Sequence, residues 1–128
     1  MALDKNSPYV YVTGPYEGIN EIIRRRNKEQ LEFVCRRIFV ANHIPICPIL
    51  FFGEYPKDPR LFSNSGWWVL KVFEPMMRLC SSFCIITSRT DLSNERLQME
   101  QELWAKIGNG RFIPEENILK YLTGEEDV

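Results

Sequence analysis

The chain has 128 residues, of which 45% are hydrophobic and 26% are charged, and its formal net charge is -1. These values are typical of one soluble domain with an apolar core. The near-zero charge excludes a general attraction to nucleic acid polymers or to anionic membranes. No apolar run reaches the roughly 18 to 20 residues of a membrane-spanning helix, and the N-terminus lacks the apolar stretch of a signal peptide. We therefore expect a cytoplasmic protein with no membrane partner.

The first part of the chain predicts a strand, a turn and a helix. Residues 9–13 are β-branched and aromatic, and Gly14-Pro15 stops the run, which indicates a buried strand entering a tight turn. A polar stretch over residues 17–26 follows. Asn27 with Gln30 is a capping-box pattern, which predicts that the first long helix begins there.

The rest of the chain continues to alternate strands with helices. Residues 44–49 predict a short second strand, and Pro45 places it at or near a sheet edge because proline cannot donate to a ladder. Residues 50–66 form a long loop, of a length that is often functional. The later predicted elements are, in order, a helix over 67–79 that Pro75 kinks or restarts, a strand over 83–87, a helix over 93–107, a strand over 111–113 and a helix over 114–122.

This order predicts the fold class. The predicted strands are continuous apolar runs, which are typical of a parallel sheet covered on both faces. We expect an α/β fold with an open parallel sheet of four or five strands, in a single domain over residues 1–128 with its core in 8–122. Ligands of such sheets bind at the carboxyl ends of the strands, near the switch point in strand order. The candidate pocket walls are therefore residues 13–18, 48–52 and 87–94.

Glu100 is the most informative charged residue. In the predicted helix over 93–107 it falls in the middle of an apolar stripe made of Leu97, Leu103, Trp104 and Ile107. A carboxylate on the buried side of a helix is costly unless it is paired or faces a cleft. Two interpretations stay open: a reactive carboxylate in a cleft, or a stripe-edge residue that reaches water or meets an arginine.

Other residues give weaker signals. Glu74 and Arg78 have the i,i+4 spacing of a surface ion pair, which is the favoured interpretation. Ser93 is a helix N-cap, a position where an anion could also bind. Phe51 could form an apolar wall against a planar base. Backbone in the turn Gly14-Pro15-Tyr16 could approach a ligand closely, but the chain has no GxGxxG or GxxxxGK[ST] motif.

The cysteines do not predict a metal site. Cys35, Cys47, Cys80 and Cys84 each lie in an apolar segment, and the chain has a single histidine. Zinc sites typically need two ligand pairs at short spacing, and only Cys80 and Cys84 form one. The cysteines are therefore interpreted as buried free thiols in a reducing compartment, and we expect neither a metal nor a cofactor.

With these residues placed, the chain resembles the nucleoside 2-deoxyribosyltransferase-like superfamily, and in particular its small members that begin with a strand and a GPY turn. The similarity covers most of residues 8–113. It depends on the order and spacing of several short pieces: YVTGPY over 11–16, Asn27 at the start of the first long helix, NHIPICPI over 42–49, LCSSF over 79–83 and SNERLQME over 93–100 ahead of Gly108.

The resemblance implies a flavodoxin-like sheet, a homodimer or larger assembly, and chemistry at the N-glycosidic bond of a small-molecule nucleoside or nucleotide. Glu100 would attack the anomeric carbon of the sugar, as the carboxylate of a retaining glycosidase does, and Glu74 would help the base to leave. The substrate-binding residues expected along the pocket walls are Thr13, Gly14, Pro15, Tyr16, Gly18, Pro48, Phe51, Ser88, Ser93 and Asn94.

The family motif carries a glycine between the serine and the glutamate, whereas this chain has Asn94-Glu95-Arg96 there. That difference favours an alternative, a non-catalytic nucleotide-binding module on the same scaffold. The transferase proper also tends to be longer, so hydrolysis of a nucleotide fits better than base exchange. A flavodoxin-like flavin carrier is a third possibility, which a colourless purified protein would dismiss.

Overall fold

The computed structural model describes residues 8–16, 20–52, 69–86, 95–107 and 111–114. In chain order these contain β1 (Tyr9–Thr13), α1 (Glu21–Val40), β2 (Ile44–Ile46), α2 (Pro48–Phe52), a π-helical segment (Val69–Phe73), α3 (Glu74–Met77), β3 (Ser82–Ile85), α4 (Glu95–Ile107) and β4 (Arg111–Pro114). None of the described helices combines the length and apolar character needed to cross a membrane.

The four described strands form one sheet in the order β2-β1-β3-β4, and every neighbouring pair is parallel. The predicted open parallel α/β fold is therefore confirmed. Among the described strands β2 lies at an edge of the sheet, as Pro45 predicted. The chain leaves β1 for β2 on one side and returns with β3 on the other, so the switch point lies between β1 and β3. Since crossovers between parallel strands are right-handed, this strand order predicts that α1 and α4 lie on opposite faces of the sheet.

The predicted start of α1 is wrong. The helix begins at Glu21, and Asn20 caps it by accepting a 2.9 Å hydrogen bond from the backbone N–H of Ile23. Asn27 is instead buried inside the helix, where its side-chain amide donates to the carbonyl of Tyr16 at 3.4 Å. Residues 21–26 of the polar stretch form the first part of this helix, in which Arg25 and Arg26 are exposed.

Two further predictions change in detail. Residues 48–52 are helical rather than the end of a strand and the start of a loop, with proline at the first position of α2, where its missing N–H is not needed. The predicted helix over 67–79 is π-helical over Val69–Phe73 and continues as α3, with Pro75 in the first turn. Pro75 therefore restarts a helix. The predicted helix over 114–122 lies outside the described residues except for Pro114, which belongs to β4.

A row of aromatic rings crosses the face of the sheet that α4 covers. Tyr11, Phe83 and Phe112 are register partners on β1, β3 and β4. The rings of Tyr11 and Phe83 stack with their centroids 5.4 Å apart and their planes 5° apart, and Trp104 of α4 stacks on Phe83, also at 5.4 Å. Such contacts add to the apolar burial between a helix and a sheet. The row therefore fixes α4 over the centre of the sheet and holds the ring of Tyr11 beneath it.

Candidate functional site

Glu100 lies on the face of α4 that packs on the sheet. The predicted stripe is confirmed for Leu97, Leu103 and Trp104, which are buried, while Ile107 is half-buried. Glu100 is only 1% exposed, so its carboxylate is removed from bulk water. Desolvating a carboxylate is unfavourable unless charged or hydrogen-bonding groups compensate. The groups that surround Glu100 therefore decide what it can do.

Two of these groups come from β1. Tyr11 and Thr13 are two residues apart on the strand and so project from the same face of the sheet. The hydroxyl of Tyr11 donates to Oε1 of Glu100 at 2.5 Å, and the hydroxyl of Thr13 donates to Oε2 at 2.9 Å. Each carboxylate oxygen thus accepts a hydrogen bond from a different residue in the last part of β1. This arrangement fixes the rotation of the carboxylate at the carboxyl end of β1.

Arg96 is the third group. It precedes Glu100 by one helical turn, and its Nη1 donates to Oε2 of Glu100 at 2.5 Å in a buried ion pair. The same nitrogen lies 3.1 Å from the Thr13 hydroxyl oxygen, and Nη2 donates to the carbonyl of Gly14 at 2.9 Å. Arg96 is 5% exposed. Its guanidinium therefore ties α4 to the end of β1 and to the turn that follows.

We call Tyr11, Thr13, Arg96 and Glu100 the buried polar cluster. Burial raises the pKa of the Glu100 carboxyl above its ordinary value, whereas the Arg96 charge and the hydrogen bonds from Tyr11, Thr13 and Arg96 act in the opposite direction. Burial, followed by the charge of Glu100, raises the pKa of the Tyr11 hydroxyl well above its ordinary value. Tyr11 therefore remains a proton donor to the carboxylate at neutral pH.

The turn after β1 packs tightly against β3. A Cβ atom built on Gly14 would lie 2.9 Å from Cβ of Ile86 and 3.4 Å from a methyl carbon of Leu31. Gly14 is therefore required by the close approach of two backbones, and its carbonyl is left to accept from Arg96. Tyr16 is buried in the core and Pro15 is half-buried.

The structure brings together three of the residues that the sequence marked: Glu100, Thr13 and Gly14. Glu74 lies elsewhere, in the surface ion pair with Arg78 that its spacing favoured, at 3.3 Å. Pro48 is buried at the start of α2, and Phe51 is 76% exposed. Gly18, Ser88, Ser93 and Asn94 lie outside the described residues.

Tyr11 and Arg96 were not predicted as site residues. The signals were present: Tyr11 shares a strand face with Thr13, and Arg96 shares a helix face with Glu100 at the same i,i+4 spacing that was noted for Glu74 and Arg78. Of the two open interpretations of Glu100, the structure shows the contact with an arginine, but it buries the carboxylate and does not place it at an edge that reaches water.

In the described part of the chain, no three His, Cys, Asp or Glu side chains lie close enough together to bind a metal ion. The reactive groups of the buried polar cluster are thus a fixed, desolvated carboxylate, a guanidinium and two hydroxyl groups.

No protein-family profile, no curated protein and no solved structure matches the chain.

Proposed function

We propose that the carboxyl end of β1 binds a nucleoside or nucleoside monophosphate and that Glu100 acts on its N-glycosidic bond. The observation that carries this proposal is the position of the carboxylate: it lies over the end of β1, next to the switch point between β1 and β3. Ligands of open parallel sheets bind there. The resemblance to deoxyribosyltransferase-like proteins supplies the reaction.

In this mechanism a carboxylate oxygen of Glu100 attacks the anomeric carbon while the bond to the base breaks, and the resulting sugar ester is hydrolysed by water. Retaining glycosidases follow this covalent route through an oxocarbenium-like transition state. Tyr11 and Thr13 would hold the carboxylate in one orientation, which lowers the entropic part of the barrier. The charge of Arg96 would favour the ionised form of Glu100, because it opposes the effect of burial on the carboxyl pKa.

A second candidate function, binding without turnover, is favoured by the ion pair itself. Oε2 of Glu100 already accepts from Arg96 and Thr13, and the carboxylate is almost fully buried. A nucleophile must present an oxygen to the substrate, so Arg96 would have to move before Glu100 could react. Arg96 is also one of the three residues that stand where the family motif has its glycine. In this alternative the ion pair serves only to hold α4 on the sheet.

The two functions are separated by measuring base release and binding on the same samples. The protein is incubated with a panel of nucleosides and deoxynucleoside monophosphates, free base is measured by chromatography, and binding is measured by thermal shift, which grows with ligand concentration. Catalysis predicts release that is abolished in Glu100→Gln. Binding alone predicts a saturable shift with no free base from any substrate.

The matched control is Glu102→Gln, which makes the same chemical change on the same helix at an exposed position. It should leave base release unchanged.

Glu74→Gln tests the second acid. A large loss of base release would assign Glu74 to the reaction, and unchanged release would assign its carboxylate to the ion pair with Arg78. Release that persists undiminished in Glu100→Gln would overturn the catalytic proposal.

A further inference from the structure

The outer face of α1 carries apolar side chains that the described part of the chain leaves uncovered. Ile22, Phe33 and Val40 are 70%, 52% and 76% exposed. They are spaced by three and by two helical turns, so they lie on one side of the helix, which we call the outer stripe. The buried side chains of α1 lie on its other side and are Asn27, Leu31, Val34 and Ile38. Grouped exposed apolar side chains commonly mark an interaction surface.

Charged groups of both signs lie next to Phe33 on the outer stripe. Glu29 is one turn before Phe33, and Arg36 and Arg37 are one turn after it; all three are exposed. Within the described ranges, none of the three forms an ion pair with another residue. The guanidinium of Arg37 lies over the ring of Phe33, 5.3 Å from its centroid. The two sides of Phe33 along the stripe therefore carry opposite charges that the described residues do not neutralise.

The stripe also contains a cavity. Phe33, Arg36, Arg37 and Val40 line a surface cavity of about 350 Å³. Its walls are two apolar side chains and two guanidinium groups, so it is complementary to an apolar group with a carboxylate beside it. Phe33 and Glu29 are such a pair of groups, one turn apart on the same stripe. A second copy of the chain therefore presents the chemistry that this cavity fits.

We propose that two copies of the chain associate through the outer stripe, with their α1 helices antiparallel and a twofold axis beside Phe33. Phe33 then packs on Phe33 of the second copy, and Glu29 enters the cavity beside Arg36 and Arg37 of the second copy. Each charge contact occurs twice, as in any isologous interface. Parallel helices would instead place the same guanidinium groups against each other, which is unfavourable.

Charge also sets the register of the two helices. About an axis at Phe33, the exposed Arg26 lies beside Val40 of the second copy, and its aliphatic part covers the valine. Sliding the helices by one turn in one direction would bring Arg26 against Arg36 of the second copy. Sliding them in the other direction would carry Glu29 past the end of α1. The inference does not depend on the proposed glycosidic activity, because no residue of the stripe belongs to the buried polar cluster.

Disulfide capture at the axis tests the arrangement. Phe33→Cys places a thiol at the position that meets its own copy, so mild oxidation should link two chains through residue 33. Phe39→Cys is the matched control, since Phe39 is 69% exposed on the same helix but lies off the stripe. Both variants also carry Cys35→Ser, so that a link between two tryptic peptides 29–36 can involve residue 33 alone. We expect Phe33→Cys to link at least about tenfold faster than the control.

Sedimentation of the unlinked protein tests the energetics. The unmodified chain and Phe39→Glu should be dimers, and Phe33→Glu should be a monomer. Glu29→Arg and Arg36→Glu should each raise the dimer Kd by at least about tenfold, and the variant with both changes should recover most of the affinity. The proposal is overturned by an unmodified chain that stays monomeric up to its solubility limit, by a Phe33→Glu dimer, or by equal linking of the two cysteine variants.

Discussion

Arg96 and Glu100 are one turn apart on α4 and form an ion pair with an N–O distance of 2.5 Å, in which the side chains are 5% and 1% exposed. Glu74 at the start of α3 and Arg78 directly after it have the same spacing, but the side chains of Arg78 and Glu74 are 54% and 28% exposed. The chain therefore contains a buried pair and an exposed pair of the same residue types. Their comparison separates the effect of burial from that of spacing.

The first prediction uses this comparison. Arg96→Met keeps an apolar side chain of similar length but leaves Glu100 buried without its cation, so the free energy of unfolding should fall by about 3 to 5 kcal/mol. Arg78→Met removes the cation of the exposed pair and should lower it by less than about 1 kcal/mol. Urea unfolding monitored by circular dichroism gives both values.

The double variant Arg96→Met with Glu100→Gln tests the reason for that loss. Removing the unpaired charge as well should recover a large part of the stability, because the penalty is the desolvation of an uncompensated carboxylate. Equal losses in the single and double variants would show that Arg96 contributes through packing of its aliphatic part and not through its charge.

The second prediction concerns pH. Burial raises the pKa of Glu100 in the folded chain above the value of 4.5 that applies when the chain is unfolded. Between these two values the folded state binds more protons than the unfolded state, so this group makes the stability fall as the pH rises from 4.5 through the folded pKa. The difference in free energy of unfolding between the unmodified protein and Glu100→Gln should show this fall, and Glu102→Gln should not alter it.

Arg96→Met should extend the fall to higher pH, since the guanidinium lowers the pKa of Glu100 and its removal leaves burial unopposed by that charge. Urea titrations at closely spaced pH values are sufficient. The prediction would be contradicted if the free energy of unfolding of the unmodified protein, relative to that of Glu100→Gln, rose with pH. Such a rise would mean that the ion pair outweighs burial and lowers the pKa of Glu100.

The third prediction concerns the hydroxyl of Tyr11. Tyr11→Phe keeps the ring that stacks on Phe83 but leaves Oε1 of Glu100 without this donor, so the free energy of unfolding should fall by about 1 to 3 kcal/mol. Tyr9→Phe removes a hydroxyl from a half-buried position on the same strand face and should cost less. Thermal and urea unfolding of the two variants decide the point. A loss below about 0.5 kcal/mol in Tyr11→Phe would show that the bond to Glu100 contributes little net stability.

The sequence predicted the sheet and the position of Glu100 on the apolar face of its helix, because both follow from apolar periodicity, which is local. It did not predict that Tyr11 meets Glu100, because that contact joins residues far apart in the chain and depends on how α4 crosses the strands. The start of α1 was misplaced because the pattern at Asn27 is also compatible with a helix interior, and the tertiary contact with Tyr16 decides its environment. Arg96 could have been identified from its i,i+4 spacing to Glu100 alone.

The fourth prediction concerns Gly14. A methyl group there would meet Cβ of Ile86 at 2.9 Å, closer than such atoms approach, so Gly14→Ala must push the turn away from β3. Overpacking of this kind costs about 1 to 3 kcal/mol. The shift would also move the carbonyl that accepts from Arg96, so the loss should partly disappear in an Arg96→Met background.

Ile86→Ala is an informative partner for this variant. It removes the outer carbons of Ile86 but keeps the Cβ that the new methyl group would strike, so it should not rescue Gly14→Ala. The free energy of unfolding of the double variant should therefore be no higher than that of Gly14→Ala alone. Rescue by Ile86→Ala would mean that the clash is with the flexible end of the side chain, and that the two backbones are farther apart than the structure has them.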